Sequence, residues 1–281
     1  MRPYLPPVGL GLSEAHGRSP SESDAVLAKD RVFGEGQGFV RWTASYYTGC
    51  DMLSDTMNQL RTARHSRGWT QARAAARLGV SQPYLAMLEA GQRPLTPAVA
   101  RRAMRVYSLP PTVLPPGVAP RVGAATLAQD LAALGYPGFA HLARRGGAVK
   151  HPGSVLLTAL AQPELEARAV EALPWLLLRY WSLDPAWLVR EAKARDLQNR
   201  LGFVVSLARE VAEREGHGPR LAALRALEAT LERSRLARED TLGRAALSEA
   251  ERRWLETRRS AAARHWNLLT DWTAEALRHR A

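Results

Sequence analysis

From residue 58 onward, apolar residues return every three or four positions, the spacing of helices packed on one face. A first helix is predicted over Asn58–Ser66, with Leu60 and Ala63 inward, stopping at Gly68. Thr70 is a suitable N-cap for a second, Gln71–Leu78, and Gly79, which can take positive φ, ends it. Ser81 caps a third, Gln82–Ala90, with Pro83 in its first turn, where a missing N–H costs least. Gly91 closes that helix, and Thr96–Pro97 opens a fourth that runs to about Tyr107. The stretch LPPTVLPPGVAP, residues 109–120, cannot be helix interior and reads as a semi-rigid linker. Further helices are predicted over Thr126–Leu134, Gly138–Arg144, Ser154–Leu160, Pro163–Trp181, Pro185–Glu215, Arg220–Asp240, Ser248–Arg259 and Thr273–Arg278. Pro174 should kink or split the one that contains it. With no alternating β-branched run and no repeat of about 34 residues, the chain is expected to be all-α.

The organisation follows. Residues 1–51 are rich in Pro, Gly and Ser without periodicity and are expected to be a disordered tail, even an overextended start, since Met52 and Met57 precede the first helix. A four- or five-helix domain is expected over 52–114, a linker over 115–123 and a larger helical bundle over 124–281.

Charge sharpens this division. The chain carries 39 Lys and Arg against 27 Asp and Glu, net +12. Residues 57–111 hold nine arginines (61, 64, 67, 73, 77, 93, 101, 102, 105) and one acid, Glu89, so most of the excess sits in one fifth of the chain. A generally arginine-rich composition explains Arg in place of Lys but not the missing acids; the segment is a footprint for a polyanion. Cys50 is the single cysteine, and the seven histidines lack ligand spacing, so neither a disulfide nor a zinc site is expected. No apolar run approaches the roughly 20 residues of a membrane span, and no secretory signal is read at the N-terminus. A cytoplasmic protein without membrane association or cofactor is expected.

The segment QARAAARLGVSQPYLAMLEAG makes specific demands. Two helices meeting at a steep angle need a small residue in the crotch, Ala75, and a turn residue tolerant of left-handed geometry, Gly79. Val80, Leu85 and Leu88 fall at the spacing that points inward. Ser81, Gln82, Tyr84 and Met87 are then left on the face away from the core, on a helix that fits the major groove. With Gln71, Ala75, Gly79, Val80, Leu85, Leu88, Glu89 and Gly91, and Arg64 upstream, the region 57–114 resembles the Cro/C1-type, or XRE, family of helix-turn-helix regulators. The resemblance implies that Gln71 grips a phosphate and braces the recognition helix. It places base contacts at Gln82, Pro83 and Met87, and phosphate contacts at Ser81 and Tyr84. It also implies that Arg64 pairs with Glu89, which explains the one surviving acid. Ala74 stands where the family commonly has a larger apolar residue, so the local core is expected to be thin. Pro83 has no hydrogen-bonding head, so readout leans on Gln82, which can bridge adenine N6 and N7. Arg93, in the following loop, is placed for a phosphate, and Arg73 and Arg77 are candidates for the same.

Beyond the linker the signals are structural. Trp175, Trp181 and Trp187 are expected in a bundle core rather than a ligand cage. Asn199 and Arg200 are read either as a buried polar network, as an anion site or as a solvated face. His265, Trp266 and Asp271 form the one cluster worth inspecting, but no phosphate loop, nucleophile elbow or metal spacing is present, and an enzyme is not expected. Residues 221–239 and 246–259 suit either a dimer seam or packing within one chain. The expectation is a homodimeric transcriptional regulator of double-stranded DNA, a repressor, with a small-molecule effector or protein partner at the C-terminal domain. The alternative is an antitoxin-like protein whose C-terminal domain clamps a partner while the N-terminal domain represses its own operon.

Overall fold

The computed structural model describes residues 59–117, 122–144 and 148–279, so the expected tail, with Met52 and Met57, lies outside the described residues. Helix α1 occupies residues 59–65 and is followed by α2 (Gln71–Leu78), α3 (Gln82–Glu89) and α4 (Pro97–Tyr107). Three of these starts are set locally. The Thr70, Ser81 and Thr96 hydroxyls accept from the backbone N–H of Arg73, Tyr84 and Val99, satisfying helix-end donors that have no partner within the helix. Leu60, Ala74, Ala75, Leu78, Leu85, Leu88, Ala100, Ala103 and Tyr107 are buried together as the core of this region. Four of the nine are alanines, which lets the helices approach closely. Ala74 itself is fully buried.

The rest of the chain builds a larger core from α5 (Ala124–Ala133), α6 (Pro152–Leu160), α7 (Ala167–Arg179), α8 (Pro185–Lys193), α9 (Gln198–Glu215), α10 (Gly218–Glu232), α11 (Glu249–Arg258) and α12 (Ala261–His265). Helix α9 runs through the middle, packed against α6, α7, α8, α10 and α12. It is apolar around most of its circumference from Leu201 to Ala212, as a central helix must be. Gly202 lets the Trp266 ring lie against the α9 backbone: a Cβ there would come within 2.5 Å of ring carbons. The Trp266 indole N–H then donates to the Ser206 hydroxyl at 2.8 Å, one turn along the same helix. The chain is predominantly helical, and among the described residues the regular strands are the two-residue β1 (Asp240–Thr241) and β2 (Leu268–Leu269), paired in parallel. No helix among the described residues is long and apolar enough to cross a membrane.

Several predicted elements are corrected. The stretch Pro185–Glu215 is two helices, α8 and α9, separated at 194–197, where Asp196 takes φ 54°. The helix predicted over Arg220–Asp240 ends at Glu232. That over Pro163–Trp181 starts only at Ala167, because residues 163–165 are tied to 243–245: Leu165 N–H donates to the Gly243 carbonyl and Ala245 N–H to that of Pro163. Pro174 does not split α7, which is continuous through it and buried from Ala169 to Leu178, so surrounding packing holds the turn that the proline weakens. Gly138–Arg144 and Thr273–Arg278 are short 3-10 turns, Pro137–Leu142 and Ala274–Ala276, the first kinked at Phe139. Helix α12 lies between the predicted helices Ser248–Arg259 and Thr273–Arg278, started by the Ser260 hydroxyl, which accepts from Ala263 N–H. The proline-rich stretch is docked over its described part: Val113 and Leu114 are buried, and Gly117 N–H donates to the Ser154 hydroxyl of α6.

Candidate nucleic-acid interface

Helices α2 and α3 meet at a three-residue turn built from two local signals. Gly79 adopts φ 61°, ψ 42°, and its N–H together with that of Val80 closes back on the Ala76 and Ala75 carbonyls. Ser81 then starts α3 in extended geometry. The turn is braced from outside by Arg102 of α4, whose Nη1 donates to the Leu78 carbonyl at 2.6 Å. In the sequence Arg102 stands out only as charge, since nothing local marks a guanidinium 24 residues away as the cap of α2.

The far end of α3 is fixed by a buried ion pair. Arg64 donates to both Glu89 oxygens, Nε to Oε1 at 2.7 Å and Nη2 to Oε2 at 2.9 Å, and its Nη1 donates to the Trp69 carbonyl at 3.0 Å. Gln71 Nε2 adds a third bond to the same carboxylate at 3.1 Å. The side chains of Arg64 and Glu89 are 8% and 1% exposed. Burial by itself would push the Glu89 carboxyl up, but the hydrogen bonds from Arg64 and Gln71 and the charges of Arg64 and Arg61 outweigh it and hold the group below the usual carboxylate range. A charge in that setting has no capacity left for DNA; its work is to tie α1, α2 and α3 together.

That leaves the first turn of α3 outward. Ser81, Gln82 and Pro83 are exposed, Met87 is half-buried, and Leu85 and Leu88 are fully buried beneath them. Val80, expected inward, is only half-buried at the core edge, and Tyr84, expected on the outer face, packs partly against the same core. Arg93 is exposed in the loop after α3. Among the described residues of this region, Arg64 is the arginine engaged in an ion pair; the others stand without a carboxylate.

A family model described as a helix-turn-helix domain matches residues 58–116. Residues 58–116 are a helix-turn-helix domain of the Cro kind. The match covers about one fifth of the chain. Comparisons of the chain with curated proteins and with solved structures returned no match.

Outside the helix-turn-helix domain, Trp175 and Trp187 are buried in the larger core, while Trp181 is half-exposed beside His217. Asn199 and Arg200 form a polar network within the chain. The Asn199 amide exchanges two hydrogen bonds of 2.8 Å with the Leu236 backbone, and Arg200 binds both Asp240 oxygens at 2.7 Å. His265 meets Glu232 at 2.6 Å, whereas Asp271 lines a separate cleft of about 550 Å³ with Glu164, Arg244, Leu255 and Trp272. Leu224, Leu227 and Leu231 of α10 are buried within the chain, chiefly against α9; on α11 Leu255 is buried and Trp254 is 44% exposed. Among the described residues no group of three His, Cys, Asp or Glu side chains is placed to hold a metal ion.

Proposed function

We propose that the protein is a sequence-specific DNA-binding transcriptional regulator that reads the major groove with the first turn of the helix-turn-helix domain's α3. The supporting observation is the division of labour on that helix. Its buried side, Leu85, Leu88 and Glu89, is locked, while Ser81, Gln82 and Pro83 stand exposed at its N-terminal end. In helix-turn-helix docking this end of the recognition helix meets base edges. Gln82 is the readout residue, bidentate to an adenine, and Met87 supplies apolar contact to a thymine methyl. Ser81, Tyr84 and Arg93 are assigned to phosphates, as is Gln71, whose amide N–H also braces Glu89. The protein acts as a cytoplasmic homodimeric repressor in this reading, with half-sites about 34 Å apart on one DNA face. The cleft beside Trp272 is the candidate effector site.

Selection of duplexes from a random library at near-physiological salt tests the reading. Enrichment of an inverted repeat with half-sites one helical turn apart is expected; no sequence enrichment would refute it. On the selected site, Gln82→Ala is expected to cost about 1–3 kcal/mol and to relax preference at one base pair. An equal loss on random duplexes would contradict base reading.

A further inference from the structure

Three guanidinium groups gather about one indole in the helix-turn-helix domain. Arg67 lies 5.9 Å, Arg73 5.8 Å and Arg77 5.2 Å from the Trp69 ring centroid, and Arg67 also lies 5.6 Å from that of Tyr107. Trp69 is anchored: its ring centroid lies 5.8 Å from that of Tyr107, and its backbone carbonyl accepts from Arg64. Arg73 and Arg77 are exposed and Arg67 is half-buried. None of the three is on α3, and among the described residues none meets a carboxylate at ion-pair distance.

This arrangement is costly for the free protein. Like charges at i and i+4, as Arg73 and Arg77 are, repel along a helix, and the only acid between residues 57 and 111 is consumed by Arg64 and Gln71. Beyond this domain, by contrast, many of the described arginines meet a carboxylate, among them Arg195 with Glu191, Arg200 with Asp240, Arg209 with Glu228 and Arg244 with Glu251. Attraction to the ring face holds the guanidiniums in place without neutralising them. A preorganised, uncompensated triple cation suits a partner with regularly spaced anionic charges, each shared by two oxygen acceptors that a guanidinium fork can bind together, which is a phosphodiester chain.

We infer that Arg67, Arg73 and Arg77, arrayed on Trp69, form a phosphodiester-binding platform distinct from the recognition helix, which supplies sequence-independent affinity for nucleic acid. This rests on the DNA-binding reading and adds to it a second contact surface with a different signature.

The test measures affinity of the full chain for its selected duplex, for a scrambled duplex and for a single-stranded oligonucleotide across a salt series. Replacing the three arginines by glutamine is expected to flatten the slope of log affinity against log salt on duplex by about 2–3, near 0.9 per phosphate released, and to weaken both duplexes alike. The triple lysine variant should keep most of the slope, which separates charge from damage to the fold, and Gln82→Ala should leave the slope unchanged while losing preference. An unchanged slope in the glutamine variant overturns the platform and leaves the recognition helix standing; its partner would then be something other than nucleic acid. A loss confined to the selected duplex also overturns it, since the array would then be reading bases. Failure of the unaltered protein to bind any of the three nucleic acids overturns both readings.

Discussion

Replacing Glu89 by alanine removes a carboxylate that accepts two hydrogen bonds from Arg64 and one from Gln71, and leaves the Arg64 charge in a site only 8% exposed. Only the bond to the Trp69 carbonyl and a contact with a His65 ring nitrogen at 3.2 Å would remain for that guanidinium, and neither supplies a counter-charge. Losing one partner of a buried hydrogen-bonded pair costs about 3–5 kcal/mol, because the surviving charge is left unpaired out of water. A small domain has about 5–15 kcal/mol in all, so the loss should appear as frequent local opening of α2 and α3. Hydrogen exchange on peptides spanning residues 71–90 of the full chain reads this directly. Protection is expected to fall by a hundredfold or more, with 1.4 kcal/mol to each tenfold, while α9 amides stay protected. The double change Arg64→Met, Glu89→Leu should recover much of the protection, since both charges leave together. The pair also sets a pH response. The Glu89 carboxyl titrates lower in the folded than in the unfolded chain, so its contribution is complete above the ordinary carboxylate range and is lost as pH falls through the depressed folded value. A fall of less than tenfold in the single variant, or the same acid response in Glu89→Gln, would refute the assignment of this pair as the brace of the recognition helix.

Two further predictions concern the larger core. His151 is buried against Trp187, with ring centroids 5.5 Å apart, and burial pushes its pKa down to about 4. The unfolded chain therefore binds the proton more readily between pH 6.5 and 4, and stability, complete above pH 6.5, should decline by about 3 kcal/mol across that window. Urea unfolding followed at several pH values checks this; His151→Phe should remove that part of the slope, and an unchanged slope would show that the proton is taken up elsewhere. Gly202→Ala would place a Cβ 2.5 Å from the buried Trp266 ring, which has no room to move, so a loss of about 1–3 kcal/mol is expected in the same assay. A neutral result would mean that the ring does not lie against α9 in solution.

The helix ends of residues 59–107 were legible because their causes are local. Thr70, Ser81 and Thr96 reach backbone N–H groups three residues ahead, and Gly79 bends the chain at its own φ. The exposed residues of α3 were legible for the same reason, as the remainder of a short helix whose inward positions are apolar. Val80 packs on the core as its spacing predicts, at the edge and half-buried. Tyr84 packs partly against the same core although its position in α3 put it on the outer face, because a large ring reaches the core from a position that periodicity assigns to the surface. Arg102 and the Trp69 array depend on α4 and on the α1–α2 turn converging, and neither convergence leaves a mark in the spacing of residues.

In the C-terminal half the distances were too long for local reasoning. Nothing between Pro185 and Glu215 breaks a helix by itself; the break at 194–197 accompanies bonds that hold Asn199 to Leu236, 37 residues on, and Arg200 to Asp240, 40 residues on. The same bonds, with a third from Asn267 to the Leu236 carbonyl, satisfy backbone that would otherwise have continued α10. By itself, then, the sequence determined the helical class, the helix-turn-helix and the concentration of arginine around it, because caps, turns and charge act over a few residues. Where the remaining helices stop, which arginines are paired and which stand free, and the docking of Trp266 on Gly202 were decided only by the tertiary structure, since each needs a partner that is distant in sequence.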